Sequence, residues 1–363
     1  MPLTPIIFFV DPAWRRESLR HIPLLYPFWG NSLTEQTPFQ RTLFERYSFD
    51  TRYYRITGVA EEADAVLMPY SHNVALQYAP DILEACIKAS KQLNKPLFID
   101  GMGDIEHPIA IPHAYVLRYG GYRFLRKGNE IIVPPYTDDL LEAYCGGALQ
   151  VRRKSAKPIV GFVGWAEVSL LQKFKTIVKE FPNRLRTLVD SRYGACKKGV
   201  FFRMQAIGLL KRSPLVASNF LLRPSYSGHL NTAADAQETL RREFVDTLLA
   251  SDYCLDVRGD ANNSMRLFEI LSLGRIPVIV DTERNFPFSE HLKYQEFSLM
   301  VDFRDIKKLP EHIAEFHRNL TEEQFENMQK KARAVYLQYF RIDALMPYIA
   351  KEISERMDAF IPI

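Results

Sequence analysis

The chain lacks most of the usual marks of a metal, redox or membrane protein. Among 363 residues there are four cysteines, Cys86, Cys145, Cys196 and Cys254, and no two form a CxxC pair. That spacing argues against a zinc knuckle or a dense disulfide framework and fits reduced thiols in the cytosol. No G-x-G-x-x-G turn follows a strand-like run, not even at Val160-Gly161-Phe162-Val163-Gly164, which argues against a nicotinamide-dependent enzyme. No run approaches the ~20 apolar residues of a membrane-spanning helix. The first apolar run, Ile6 to Val10, stops at Asp11, has no basic segment before it and is too short for a signal peptide. An excess of one charge sign is missing too. Lys+Arg number 47 and Asp+Glu 43, and the resulting +4 is too weak to point to nucleic acid.

What is present is a globular composition, 47% hydrophobic and 25% charged, in a length that favours two domains. Short apolar runs alternate with amphipathic stretches. IIFFV (Ile6 to Val10), DAVLMPY (Asp64 to Tyr70), PLFID (Pro96 to Asp100) and EIIVPPY (Glu130 to Tyr136) read as strands, and 79–93 has helical spacing. The rhythm restarts at KPIVGFVGW (Lys157 to Trp165), with helices near 168–181 and 234–250 and strands at Asp252 to Val257 and Ile276 to Val280. Residues 310–357 read as helical throughout. Such alternation predicts an α/β fold of two Rossmann-like domains with parallel sheets facing across a crevice, closed by a helical carboxyl-terminal tail. Gly146-Gly147 and Arg152-Arg153-Lys154 interrupt the pattern. The expected division is therefore 1–150, 151–340 and a terminal helix at 341–363.

Residues 1–155 carry 17 basic and 17 acidic side chains, so the whole +4 belongs to the remainder. Within 184–223 nine basic residues stand against Asp190 alone. This is either a solvated face or a wall that attracts an anionic ligand.

The segment Ser251 to Asp281 carries the most chemistry. Its strand ends at Val257, a loop runs from Arg258 to Asn263, and Ser264 stands where a helix to about Leu273 would be N-capped, with Gly274 beyond. A helix starting at a strand's carboxyl end offers unpaired N–H groups to an anion. Arg258 and Arg266 would flank it as forked phosphate donors. Arg266 and Glu269, three residues apart, share a helix face. They are either a surface pair or a donor site, with Arg266 on phosphate and Glu269 on ribose hydroxyls.

This segment resembles the exostosin-like glycosyltransferases, family 47. The elements that carry the resemblance are Tyr253-Cys254-Leu255, Arg258-Gly259, Ser264, Arg266-Leu267-Phe268-Glu269, Gly274, Ile276-Pro277-Val278-Ile279 and Asn285-Phe286-Pro287-Phe288, in order and with the family's gaps. Weaker resemblance covers Glu61 to Tyr70, Asn129 to Tyr136, Gly161 to Trp165, an arginine at Arg184 or Arg186, and Tyr336 to Ile349. Asp256 departs from the pattern, because many members have proline or another small residue there. The amino-terminal membrane anchor of animal and plant members is also missing, which suggests a soluble, bacterial-type member.

The resemblance implies a GT-B architecture with the donor in the carboxyl-terminal domain. It implies inverting, metal-independent transfer from a nucleotide sugar, most often a UDP-sugar, to an oligosaccharide, polysaccharide or glycolipid acceptor. No cofactor beyond the co-substrate is expected, and the aspartates nearest to a DxD pattern, Asp100 with Asp104 and Asp138-Asp139, do not have its spacing. The expected donor-binding residues are Arg258, Gly259, Asn263, Ser264, Arg266 and Glu269, joined by Arg184. An inverting displacement needs a base for the acceptor hydroxyl. The loop after Asp100 supplies Asp104 first and His107 next as candidates, with Glu106 and, from another loop, His72 behind them. The competing reading is a sugar-nucleotide or glycan-binding protein of the same form without turnover. The expected location is the cytoplasm or the inner face of the membrane, with peripheral contact only.

Overall fold

The computed structural model describes residues 4–31, 43–101, 103, 108–166, 180–223 and 234–360, without the side chains of 184 and 234–237. In chain order the strands are β1 Ile6–Phe9, β2 Tyr54–Thr57, β3 Ala65–Leu67, β4 Leu97–Asp100, β5 Ala114–Arg118, β6 Glu130–Ile132, β7 Ile159–Trp165, β8 Ala217–Arg223, β9 Tyr253–Asp256, β10 Ile276–Asp281 and β11 Leu299–Asp302. Beyond a single turn at Tyr26–Trp29, the helices are α1 His72–Tyr78, α2 Pro80–Leu93, α3 Leu140–Cys145, α4 Phe181–Thr187, α5 Gly199–Arg212, α6 Ala234–Leu249, α7 Met265–Ser272, α8 Leu309–Asn319, α9 Glu322–Val335 and α10 Ile342–Asp358.

The chain forms two compact units, each built on a parallel sheet. The first comprises Met1–Tyr119, Arg126–Pro134 and Arg341–Ile363, with strand order β2-β1-β3-β4-β5-β6. Its α2 begins at Pro80, where the missing N–H costs nothing, buries Ile82, Leu83 and Cys86, and stops at left-handed Asn94. The terminal α10 belongs to this unit: the Tyr115 hydroxyl on β5 donates to the Arg356 carbonyl at 2.8 Å.

The second unit, Gly120–Leu125 and Pro135–Phe340, orders its strands β11-β10-β9-β7-β8. β7 comes first in the chain and its successors lie to either side, so the topological switch falls between β7 and β9. Val160, Phe162, Tyr253, Leu255, Val278 and Val280 supply the sheet's part of the main core. Pro277 sits before the β10–β11 register begins at Val278–Leu299, so its missing donor leaves no gap in that ladder.

Both units have the expected class, parallel-stranded and Rossmann-like, with a helical carboxyl-terminal region, which is the content of a GT-B-like fold. Four strands, β2, β5, β8 and β11, and helices α1, α3, α4 and α5 are additional to the elements expected from the pattern. The helix expected near 168–181 lies almost wholly outside the described residues. The expected 310–357 helix is three, interrupted at Leu320–Thr321 and again at Arg341. The compact units also part from the division at 150 and 340. Residues 135–150 cluster with the second unit because Leu140 and Leu141 of α3 pack with Val245, Leu248 and Ile270, whereas Arg341–Ile363 cluster with the first.

Asp139 shows why the segment before α3 belongs where it does. Its fully buried carboxylate receives Arg333 Nη1 at 2.7 Å and Nη2 at 2.9 Å, and Nη1 also reaches the Ser272 carbonyl at 2.6 Å. Removing one member strands a buried charge. Arg333→Leu is expected to cost about 3–5 kcal/mol of stability, read as a lower urea midpoint with an unchanged slope. A loss within experimental error would contradict this account.

Candidate donor site in the second unit

The site is built where β7 and β9 end at the switch point, the position at which open α/β sheets receive ligands. β9 ends on Asp256, which is fully buried. Ser264 Oγ donates to its Oδ1 at 2.5 Å and Arg284 Nη1 to its Oδ2 at 2.8 Å. The charge that departs from the family pattern is therefore neutralised inside the unit.

α7 starts directly after Ser264, as the sequence indicates, and Gly274 at φ +60° follows its end. Ser264 occupies the N-cap position with extended geometry, but its side chain makes no capping bond. The expectation of a conventional serine cap is thus corrected: the hydroxyl is engaged by Asp256, and the first-turn amides are not covered by it.

Arg258 also departs from expectation. It is 1% exposed, and its guanidinium donates to the carbonyls of Ala195 at 2.9 Å and Asp260 at 2.9 Å, to that of Lys197, and to the Tyr122 hydroxyl at 3.0 Å. It is a buried clamp that shapes the loop, and no fork is left to flank an anion. Gly259 faces α5 closely, since a Cβ on Gly199 would lie 1.9 Å from the Gly259 carbonyl oxygen. Asn262, fully buried, joins Thr282 and Gly121 by bonds of 2.7–3.2 Å, and Asn263 beside it is half-buried.

Segment Gly120–Leu125 docks against this loop from within the same unit. Gly121 N donates to the Asn262 carbonyl at 3.3 Å, Asn285 N to the Gly121 carbonyl at 2.9 Å, and Arg123 N to the Glu283 carbonyl at 2.7 Å. Arg123 also reaches Asp281 at 2.8 Å. Nothing in the sequence pattern signals this segment, because its partners are 140 or more residues away.

Arg266 and Glu269 both lie on α7 but do not pair with each other in the structure. Arg266 Nη2 donates to the Val163 carbonyl at 2.7 Å, and its guanidinium carbon stands 4.3 Å from the Phe162 ring centroid. Gly164, at φ +144°, makes room: a Cβ there would sit 2.8 Å from Arg266 Nη2. Glu269 is 7% exposed and receives Arg241 Nη2 of α6 at 2.8 Å. Arg241 was not legible from spacing. Cys254, one strand-turn earlier, is a fully buried thiol pushed up to about 12 by desolvation, so it is inert.

The basic stretch 184–223 is not a uniform wall. Arg192 pairs with Asp190, Arg223 with Glu243, and Arg203 donates to the Val257 carbonyl at 3.1 Å. Arg184 lies in α4, its side chain outside the described residues. The candidate bases Asp104 and His107, with Glu106, also fall outside them. His72 opens α1 of the first unit, and burial, with Arg118 nearby, lowers its pKa. Among the described residues no group of three or more His, Cys, Asp or Glu could hold a metal ion, and no helix is long and apolar enough to cross a membrane.

The second unit is thus a Rossmann-like sheet with α7 starting at its switch point, the place where open α/β sheets receive ligands. Residues 219–316, which include this helix, match the Exostosin GT47 domain. Over 125 residues, 34% of the chain, the sequence is 30% identical to Exostosin-1 homolog of Caenorhabditis elegans, a match that takes in 32% of that protein. Over 87 residues, 22% of the chain, it is 37% identical to the probable glucuronoxylan glucuronosyltransferase F8H of Arabidopsis thaliana, covering 19% of it. The matched region thus spans about a third and about a fifth of these relatives. A solved structure of HepE from Anabaena in complex with UDP-glucose superposes over 98% of this chain and 100% of that one, with 11% identity and a TM-score of 0.40. The chain thus contains a glycosyltransferase-like region that matches the Exostosin GT47 domain, and it is related to members of that family.

With Arg258 removed, four oxygen acceptors lose their donor in a buried setting. Arg258→Ala is expected to cost about 3 kcal/mol or more of stability, seen as a lower melting temperature without any ligand. A variant as stable as the parent and defective only in nucleotide binding would restore Arg258 to the ligand.

Proposed function

We propose that this protein is an inverting, metal-independent glycosyltransferase that moves a sugar from a nucleotide sugar, most simply a UDP-sugar, to a glycan acceptor. The observation that carries the reading is the start of α7. Its N-cap hydroxyl is turned to Asp256, its first turn lies at the β7/β9 switch, and Arg266 and Glu269 stand on the same short helix. The name of the plant relative, a glucuronosyltransferase, supports the same donor class.

In this reading the α7 amides and Arg266 hold the diphosphate, and Glu269, oriented by Arg241, accepts hydrogen bonds from the ribose hydroxyls. The acceptor oxygen attacks the anomeric carbon as the bond to the diphosphate oxygen breaks, which inverts configuration. Charge growing on the leaving diphosphate meets the helix dipole and Arg266, the role a metal fills elsewhere. The acceptor proton passes to a base, for which Asp104 is the first candidate and His107 the next. Gly259, Asn263 and Arg184 complete the proposed donor site, while Arg258 contributes by holding its loop.

A thermal-shift panel of nucleotides and nucleotide sugars in EDTA tests the donor, since a ligand of the native state raises the melting temperature. A UDP-sugar is expected to stabilise the protein, and transfer to survive the chelator. Glu269→Gln and Arg266→Ala should each lower kcat/KM about ten- to a hundredfold, the equivalent of one charge-assisted hydrogen bond. Wild-type kinetics in both variants would remove α7 from the donor site. Asp104→Asn should leave donor binding by calorimetry unchanged and lower kcat by ~10²–10⁴; normal turnover would pass the role to His107. Donor that binds without ever releasing nucleoside diphosphate would identify a binding protein.

A further inference from the structure

α4 presents an apolar stripe that no described residue of its unit covers. Phe181 is 58% exposed, Leu185 51%, Leu188 83% and Val189 92%. Leu188 keeps helical dihedrals past the end of α4, and the amides of Leu188 and Val189 still bond back to the Leu185 and Arg186 carbonyls. At about 100° per residue, the four side chains fall within an arc of about 100° on one face. Buried helices turn such a stripe inward, whereas here it faces water.

The stripe is bordered by positive charge. Arg186 follows it on the same turn, exposed and 5.6 Å from the Tyr193 ring centroid. Lys197 is exposed, whereas Lys198 is paired with Asp260 at 3.6 Å. The one acid of the 184–223 stretch, Asp190, is held by both oxygens against Arg192, with its pKa lowered by those bonds. Exposed apolar side chains edged by the exposed Arg186 and Lys197 match the interfacial region of an anionic bilayer, apolar below and charged above.

We propose that α4 and the turn after it dock this protein on an anionic lipid surface, with Phe181, Leu185, Leu188 and Val189 entering the headgroup boundary and Arg186 and Lys197 meeting the headgroups. A second copy of the chain fits the face less well. Four side chains fall far short of the ~800 Å² per partner of a standard interface, and self-pairing would bring two basic stretches together. The inference does not depend on the donor or on turnover.

The test is flotation of the full chain with vesicles of phosphatidylcholine, with and without phosphatidylglycerol. The parent protein should partition onto the anionic vesicles, at least about fivefold more strongly per unneutralised charge than onto neutral ones, and should be released by high salt. Leu188→Ser/Val189→Ser, at two solvent-facing positions, should lower partitioning about tenfold or more while leaving circular dichroism unchanged. Arg186→Glu/Lys197→Glu should remove the preference for anionic lipid. Absence of the parent from the lipid fraction, equal binding to both vesicles, or unchanged binding of the serine variant would each overturn the proposal. So would a dimer in sedimentation velocity that the serine variant dissolves, because the face would then belong to a second copy.

Discussion

The second unit is organised around one buried carboxylate. Asp256 ends the central strand in a place without water, and a charge in that position must be satisfied locally. It draws in Ser264 from the start of α7 and Arg284 from the turn after β10, so three chain segments share one point. Such a buried pair adds little net stability, and its effect is to specify geometry. Because the Ser264 hydroxyl is committed to Asp256, α7 begins without a serine cap at the strand ends. Because Arg284 is committed there too, the turn that carries it is held where Tyr122 can form an antiparallel bridge to it. The residue that departs from the family pattern is the one on which the loop depends.

A second shell of constraint surrounds that point. Arg258 gathers carbonyls from residues 195, 197 and 260, and Asn262 ties Gly121 to Thr282. Glu283, left-handed at φ +57°, accepts Arg304 at 2.5 Å while its carbonyl receives Arg123 N. None of these side chains needs to touch a nucleotide to matter. They hold the Arg258–Asn263 loop at a fixed place beside the start of α7, and a rigid frame is what allows a helix end to act on a ligand without reorganising.

Much of this was legible in the sequence because the strongest signals are local. Apolar runs, Ser264 before α7 and Gly274 after it all depend on residues close in the chain, and β1, β3, β4, β6, β7, β9 and β10, with α2, α6 and α7, stand where the pattern puts them. The strands that went unread explain themselves. β2, β8 and β11 lie at sheet edges, where half-exposed positions blur the apolar run, and β5 ends on the charged but buried Arg118, which pairs with Glu130 of the neighbouring strand at 2.8 Å. Charged side chains were harder, since an arginine near a phosphate site reads the same whether it binds ligand or carbonyls. Arg258 was read as a ligand for that reason. The Arg241–Glu269 and Asp256–Arg284 pairs link residues 28 apart in each case, and no periodicity announces such a partner.

The chain's route has a consequence for how the protein is made. The first unit includes Arg341–Ile363, and the second borrows Gly120–Leu125 from within the first unit's sequence. A ribosome therefore delivers the first sheet early but withholds α10, which packs with that unit, until the second unit has been synthesised. The nascent sheet of the first unit must wait, incompletely covered, while Pro135–Phe340 is made. Neither unit corresponds to a single continuous fragment, so no one cut separates them: trimming the carboxyl-terminal helix would damage the unit whose sequence lies farthest from it.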